Sequence, residues 1–117
     1  MTHQAPPPAS LSAADPGRQI AQLREALRLV ERIAGRPDTR GDDFRLDEAA
    51  RVSEAYDRAL PVTQRRFEAL AAETVIWAAA GVEALLISDN GPPPRAAAAR
   101  LADSLARALS DLEASLR

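Results

Sequence analysis

"ETVIWAAAGVEALLI", residues 73–87, is the most apolar stretch of this 117-residue chain, and its reading decides the fold. The run from Val75 to Ile87 is interrupted by Glu83 and falls short of the roughly 20 apolar residues that span a bilayer. Projected at roughly 100° per residue, Phe67, Leu70, Ala71, Thr74, Val75, Trp77, Ala78, Gly81, Val82 and Leu85 fall on one broad arc. That arc predicts a core face. Gly81 within it costs about 1 kcal/mol of helix propensity against alanine, which predicts a close helix or a bulky neighbour there. Thr74, on the same face, is placed to bond a backbone carbonyl one turn back.

The opposite arc holds Ala69, Ala72, Ile76, Ala79, Ala80, Glu83, Ala84 and Ile87. An outward helix face ordinarily carries charge, and a helix apolar nearly all round is buried. The sequence therefore predicts either the central helix of the domain or one side of a subunit interface. The candidate interface residues are Ala72, Ile76, Ala80, Glu83 and Ile87.

This helix follows Pro61 and runs over about 62–87, with Thr63 as a possible cap. "SDNGPPP" (88–94) ends it, and Pro94 can open a last helix, about 94–116. Ala98, Leu101, Leu105, Ala108, Leu109, Leu112 and Leu116 form the stripe of that helix, with Asp103, Arg107, Asp111, Glu113 and Arg117 spaced for i,i+4 pairs. Near the other end, Asp15-Pro16 is an N-cap followed by a proline at the first helical position. Ile20, Leu23, Leu27, Val30 and Ala34 then recur at helical spacing, widened by Leu29 and Ile33. Arg24, Glu25, Arg28, Glu31 and Arg32 are assigned to the outer face. Gly35-Arg36-Pro37 stops this first helix, about 15–35. A polar loop leads to a second helix, about 45–59, with Phe44 and Leu46 dipping toward the core. Its modest apolar face is Ala49, Val52, Tyr56 and Ala59. No stretch alternates as a strand would. The lengths predict an all-α, antiparallel four-helix bundle over 15–117. Residues 1–14, with Pro6–Pro8, read as a disordered tail.

Composition removes several functions. There is no cysteine, and the one histidine, His3, lies in the tail, so thiol chemistry, Ser-His-Asp triads and histidine-rich metal sites are excluded. Glu73 and Glu83 stand ten residues apart, about 15 Å along a helix, too far to work on one bond. No phosphate loop is present. Catalytic, cofactor and metal residues are all predicted to be absent. All 15 basic residues are arginine, which suits a GC-rich bacterial genome, and net charge is −2 with no basic block. The N-terminus has no basic region followed by an apolar run, so a cytoplasmic protein without membrane or nucleic-acid partners is expected.

"ALPVTQRRFEAL", residues 59–70, resembles the opening of the helix-turn-helix in region four of bacterial sigma factors, where a leucine-proline opens a helix with a later arginine. The resemblance would imply a DNA-associated regulator. No glycine turn follows, however, and the segment in the place of a reading helix opens with three prolines and four alanines and lacks a basic face. The favoured expectation is a non-enzymatic interaction module, self-associating through helix three or docking another helical protein. The alternative is a small-ligand-binding bundle with a pocket near Tyr56, Trp77 and Gly81.

Overall fold

The computed structural model describes residues 15–36, 42–87 and 94–117, with side-chain detail from Asp47 onward in the second segment. The predicted tail (1–14) and the reading of Phe44 and Leu46 lie outside what is described. The described chain is an antiparallel bundle of four helices: α1 Pro16–Ile33, α2 Asp42–Arg58, α3 Pro61–Leu86 and α4 Arg95–Ser115.

Local chemistry sets the ends. Asp15 Oδ1 accepts the amides of Gly17 (3.1 Å) and Arg18 (3.3 Å), two donors that the first helical turn leaves without partners. At the other end of α1, Gly35 takes φ 78°, a left-handed angle that glycine adopts without steric cost. The amide of Arg36 then reaches Glu31 O (2.8 Å) and that of Gly35 reaches Arg32 O (3.1 Å), the paired bonds of a Schellman ending. Thr63 is not the cap of α3. Leu60 holds that position without a side-chain bond, and Pro61, whose missing N–H needs no partner there, is the first helical residue.

α1 is the central helix, packed against all three others. Its Ile20, Leu23, Leu27 and Val30 are buried with Leu105, Leu109 and Leu112 of α4 and with Phe67, Ala71, Ala78 and Leu85 of α3. Ala102, which the stripe of α4 left out, is buried as well. α3 packs on α4 and, less extensively, on α1, while α2 packs chiefly on α1. Two glycines permit close approach. At Gly17 an added Cβ would stand 2.8 Å from Ala49 O and would also clash with Ser53 Oγ, so the backbones of α1 and α2 meet there. At Gly81 it would stand 2.9 Å from Leu101 Cδ1, so the bulky neighbour expected at this glycine is a leucine of α4.

Candidate functional site

The two arcs of α3 separate cleanly. Every residue of the predicted core face is buried or half-buried, and Thr74 Oγ1 donates to Leu70 O at 2.7 Å. Every residue of the second arc is exposed, including all five interface candidates: Ala72, Ile76, Ala80, Glu83 and Ile87. Of the two positions predicted for α3, the central one is therefore wrong: α1 occupies the centre, and nothing among the described residues covers the second face of α3. Ile76 is 70 % exposed, Ile87 66 % and Leu86 58 %, and the other large exposed apolar residues, Leu60 and Val62, sit at the start of the same helix. Burying one such side chain is worth about 1.5–3 kcal/mol, so this surface is an unused store of hydrophobic free energy.

Beside that face runs a groove of about 770 Å³ between α1 and α3. Leu23, Ala26 and Leu29 form one wall, and Val75, Val82 and Leu86 the other. Glu83 belongs both to the groove and to the exposed arc, and Arg28 and Arg32 edge the far side. The groove arises because α1 and α3 touch less extensively than either touches α4. Alanines at 26, 78 and 79 leave the intervening space unfilled.

The aromatic candidates are placed elsewhere. Tyr56 and Phe67 meet edge to face, with ring centroids 5.9 Å apart at 64°. The Tyr56 hydroxyl donates to Glu68, a bond that holds its proton and raises its pKa. Trp77 is half-buried at the edge of the core, ten residues and about 15 Å along α3 from Phe67. Gly81 is occupied by its contact with Leu101. Neither Tyr56, Trp77 nor Gly81 lines the α1–α3 groove.

One polar cluster escaped the periodicity. Arg24, assigned to the outer face, turns inward with only 13 % of its side chain exposed. Its guanidinium grips the buried Glu48 of α2 in a fork: Nε to Oε1 at 2.8 Å and a terminal nitrogen to Oε2 at 2.7 Å. The same nitrogen lies 3.9 Å from Glu113 of α4. A signal was present in the sequence, since Glu48 precedes Val52 by one turn and Arg24 stands between Ile20 and Leu27 on helical spacing. Among the described residues no group of three or more His, Cys, Asp or Glu side chains is placed to hold a metal ion.

α3 continues without a turn over 26 residues, which removes the helix-turn-helix reading of residues 59–70. Its length, about 39 Å, also exceeds what the apolar run alone suggested. One 18-residue window has a mean hydropathy of 1.5 with 22 % of it buried, so by length and composition this helix could cross a membrane. No family model, curated protein or solved structure matches the chain. The fold class is an all-α helical bundle.

Proposed function

We propose that this chain is a non-enzymatic interaction module that pairs with a second copy of itself through the exposed face of α3. The observation that carries this reading is the exposure of Ile76, Leu86 and Ile87 among alanines 72, 79, 80 and 84 on one continuous helix face. Contiguous apolar surface of this kind is uncommon on a monomer and marks docking surfaces. The alanines let a second helix approach closely, and the larger side chains supply most of the buried area.

Charge favours a second copy over an unrelated partner. The α3 face carries the acids Glu73 and Glu83, while the neighbouring wall of α1 carries Arg32 and Arg28, the latter 3.8 Å from Glu25 of the same wall. A two-fold arrangement brings the acidic helix of each protomer toward the arginine-bearing wall of the other, and both contacts form at once. The groove between α1 and α3 lies at the edge of that interface and can accept side chains from the partner.

Sedimentation of the full chain at micromolar concentration tests the reading. The expected result is a dimer for the wild type and a monomer of unchanged helicity for Ile76→Asp and for Ala80→Arg. A wild-type monomer overturns it. If that monomer instead floats with anionic or neutral lipid vesicles, the face belongs to a bilayer. If it binds an apolar fluorescent probe that Leu29→Arg abolishes, the groove is a ligand site.

A further inference from the structure

The exposed face of α3 has the same pattern from either end, with the charges exchanged. Val62 and Ile87 stand at its two ends, Arg65 and Glu83 lie next inward, Ala69 and Ala80 follow, and Ala72 and Ile76 flank the middle. All eight are exposed, and on a helix that advances about 100° per residue all lie within about 40° of Ile76. Each pair is centred level with residues 74 and 75. Arg65 and Glu83 are eighteen residues apart, about five helical turns, so the two charges project along one line about 27 Å long. Among the described residues neither forms an ion pair. Glu83 also sits in the last turn of α3, the end where the helix dipole disfavours an acid, and that turn holds no basic residue to offset it.

We propose that the α3 helices of two protomers run antiparallel in the dimer, with its two-fold axis level with residues 74 and 75. The proposal rests on pairing through α3 and adds the direction and register of that pairing. In a two-fold contact residue i meets residue j, and j meets i. Arg65 of each protomer then faces Glu83 of the partner subunit, Val62 faces the partner subunit's Ile87, and Ala69 packs on the partner subunit's Ala80. Each end of the interface closes with an apolar contact and an ion pair. The alanines between carry only a methyl group, so the helix axes can settle about 8 Å apart, the close end of the range for packed helices. A parallel pair of the same faces sets Arg65 beside Arg65 and Glu83 beside Glu83, two like-charge contacts that oppose it. Antiparallel pairing also lays the positive end of one helix dipole beside the negative end of the other.

Glu73 is the charge that this symmetry sets near its own copy. It is exposed and lies about 60° round the helix from Ile76, at the rim of the contact, so water and salt screen it. Arg65 and Glu83 lie nearer the contact line, and the two-fold axis repeats their pair. They therefore set the direction. Reversing either charge turns two attractions into two repulsions, which should weaken the dimer about tenfold.

The full chain has no cysteine, so one introduced thiol is the only one present. Ala69→Cys and Ala80→Cys are held at micromolar concentration under reducing conditions, alone and as an equimolar mixture, and are then oxidised mildly. The expected product is a disulfide dimer joining the two variants in the mixture. Neither variant cross-links alone, because its own two thiols stand about 16 Å apart along the axis. Sedimentation should give dissociation constants about tenfold weaker for Arg65→Glu and for Glu83→Arg, with the variant carrying both changes back at the wild-type value. Cross-linking of either cysteine variant by itself overturns the antiparallel direction, as do unchanged dissociation constants in both single charge variants. A wild-type dimer for which neither the cysteine variants nor their mixture cross-link overturns the register. A wild-type monomer overturns the pairing through α3 itself, and the proposal with it.

Discussion

α2 and α3 invert the usual distribution of residues between inside and surface. α2 buries a glutamate, while α3 leaves two isoleucines and a leucine largely in water. Ordinarily acids stay exposed unless paired, and contiguous apolar residues are covered. The contrast teaches that α2 is held by a specific partner, whereas α3 carries apolar surface that no described part of the chain covers. A buried ion pair adds little net stability over an apolar pair, but breaking it leaves a charge stranded. An exposed apolar face costs the monomer little and rewards whatever covers it.

Three substitutions sharpen that contrast. Glu48→Ala removes the fork on Arg24 and leaves only Glu113, at 3.9 Å, beside its charge, and should lower unfolding free energy by about 1–3 kcal/mol in urea denaturation. If the loss is instead comparable to that of a surface change, the pair is not what holds α2. Gly17→Ala pushes a methyl group toward Ala49 O, which is backbone and cannot swing aside, and should cost about 1–3 kcal/mol by the same measurement. A neutral or stabilising result would show that α2 can move away from α1 freely. Ile76→Asp should change the stability of the isolated protomer by no more than about 0.5 kcal/mol while abolishing association. A large loss in the dilute protomer would mean that Ile76 is covered after all.

Much of the fold was legible because its signals are local. Asp15 and Gly35 act at the helix ends through chemistry that the residues themselves carry. The stripes Ile20–Leu23–Leu27–Val30 and Leu105–Leu109–Leu112 repeat at the helical period and are buried as that period requires. The two arcs of α3 were legible for the same reason, though hydrophobicity alone did not say whether the second arc meets solvent or another helix. That answer depends on which helix takes the centre of the bundle, a tertiary matter, and α1 takes it. Arg24 and Glu48 were missed because a charge on a helical wheel is read as outward, and only knowledge of the opposing helix shows that two inward charges neutralise one another. The α1–α3 groove was not legible, since it depends on how far apart two helices settle. The tyrosine–tryptophan pocket was drawn from aromatic composition, and composition carries no distances.

The fork at Arg24 has one more consequence, which follows from the absence of lysine in this chain. A buried lysine facing a carboxylate can cancel both charges by passing its proton across the contact, leaving a neutral amine and a neutral acid. A guanidinium does not give up its proton under any condition in which a protein folds. The interior beside α2 therefore contains a permanent cation, answered closely by Glu48 and from 3.9 Å by Glu113. Glutamine at position 48 would satisfy hydrogen bonds but leave the charge to the more distant Glu113, and leucine would leave the fork without acceptors. Loss of the arginine at 24 takes the fork from a buried carboxylate, so in natural variants of this chain a change at 24 should be accompanied by one at 48.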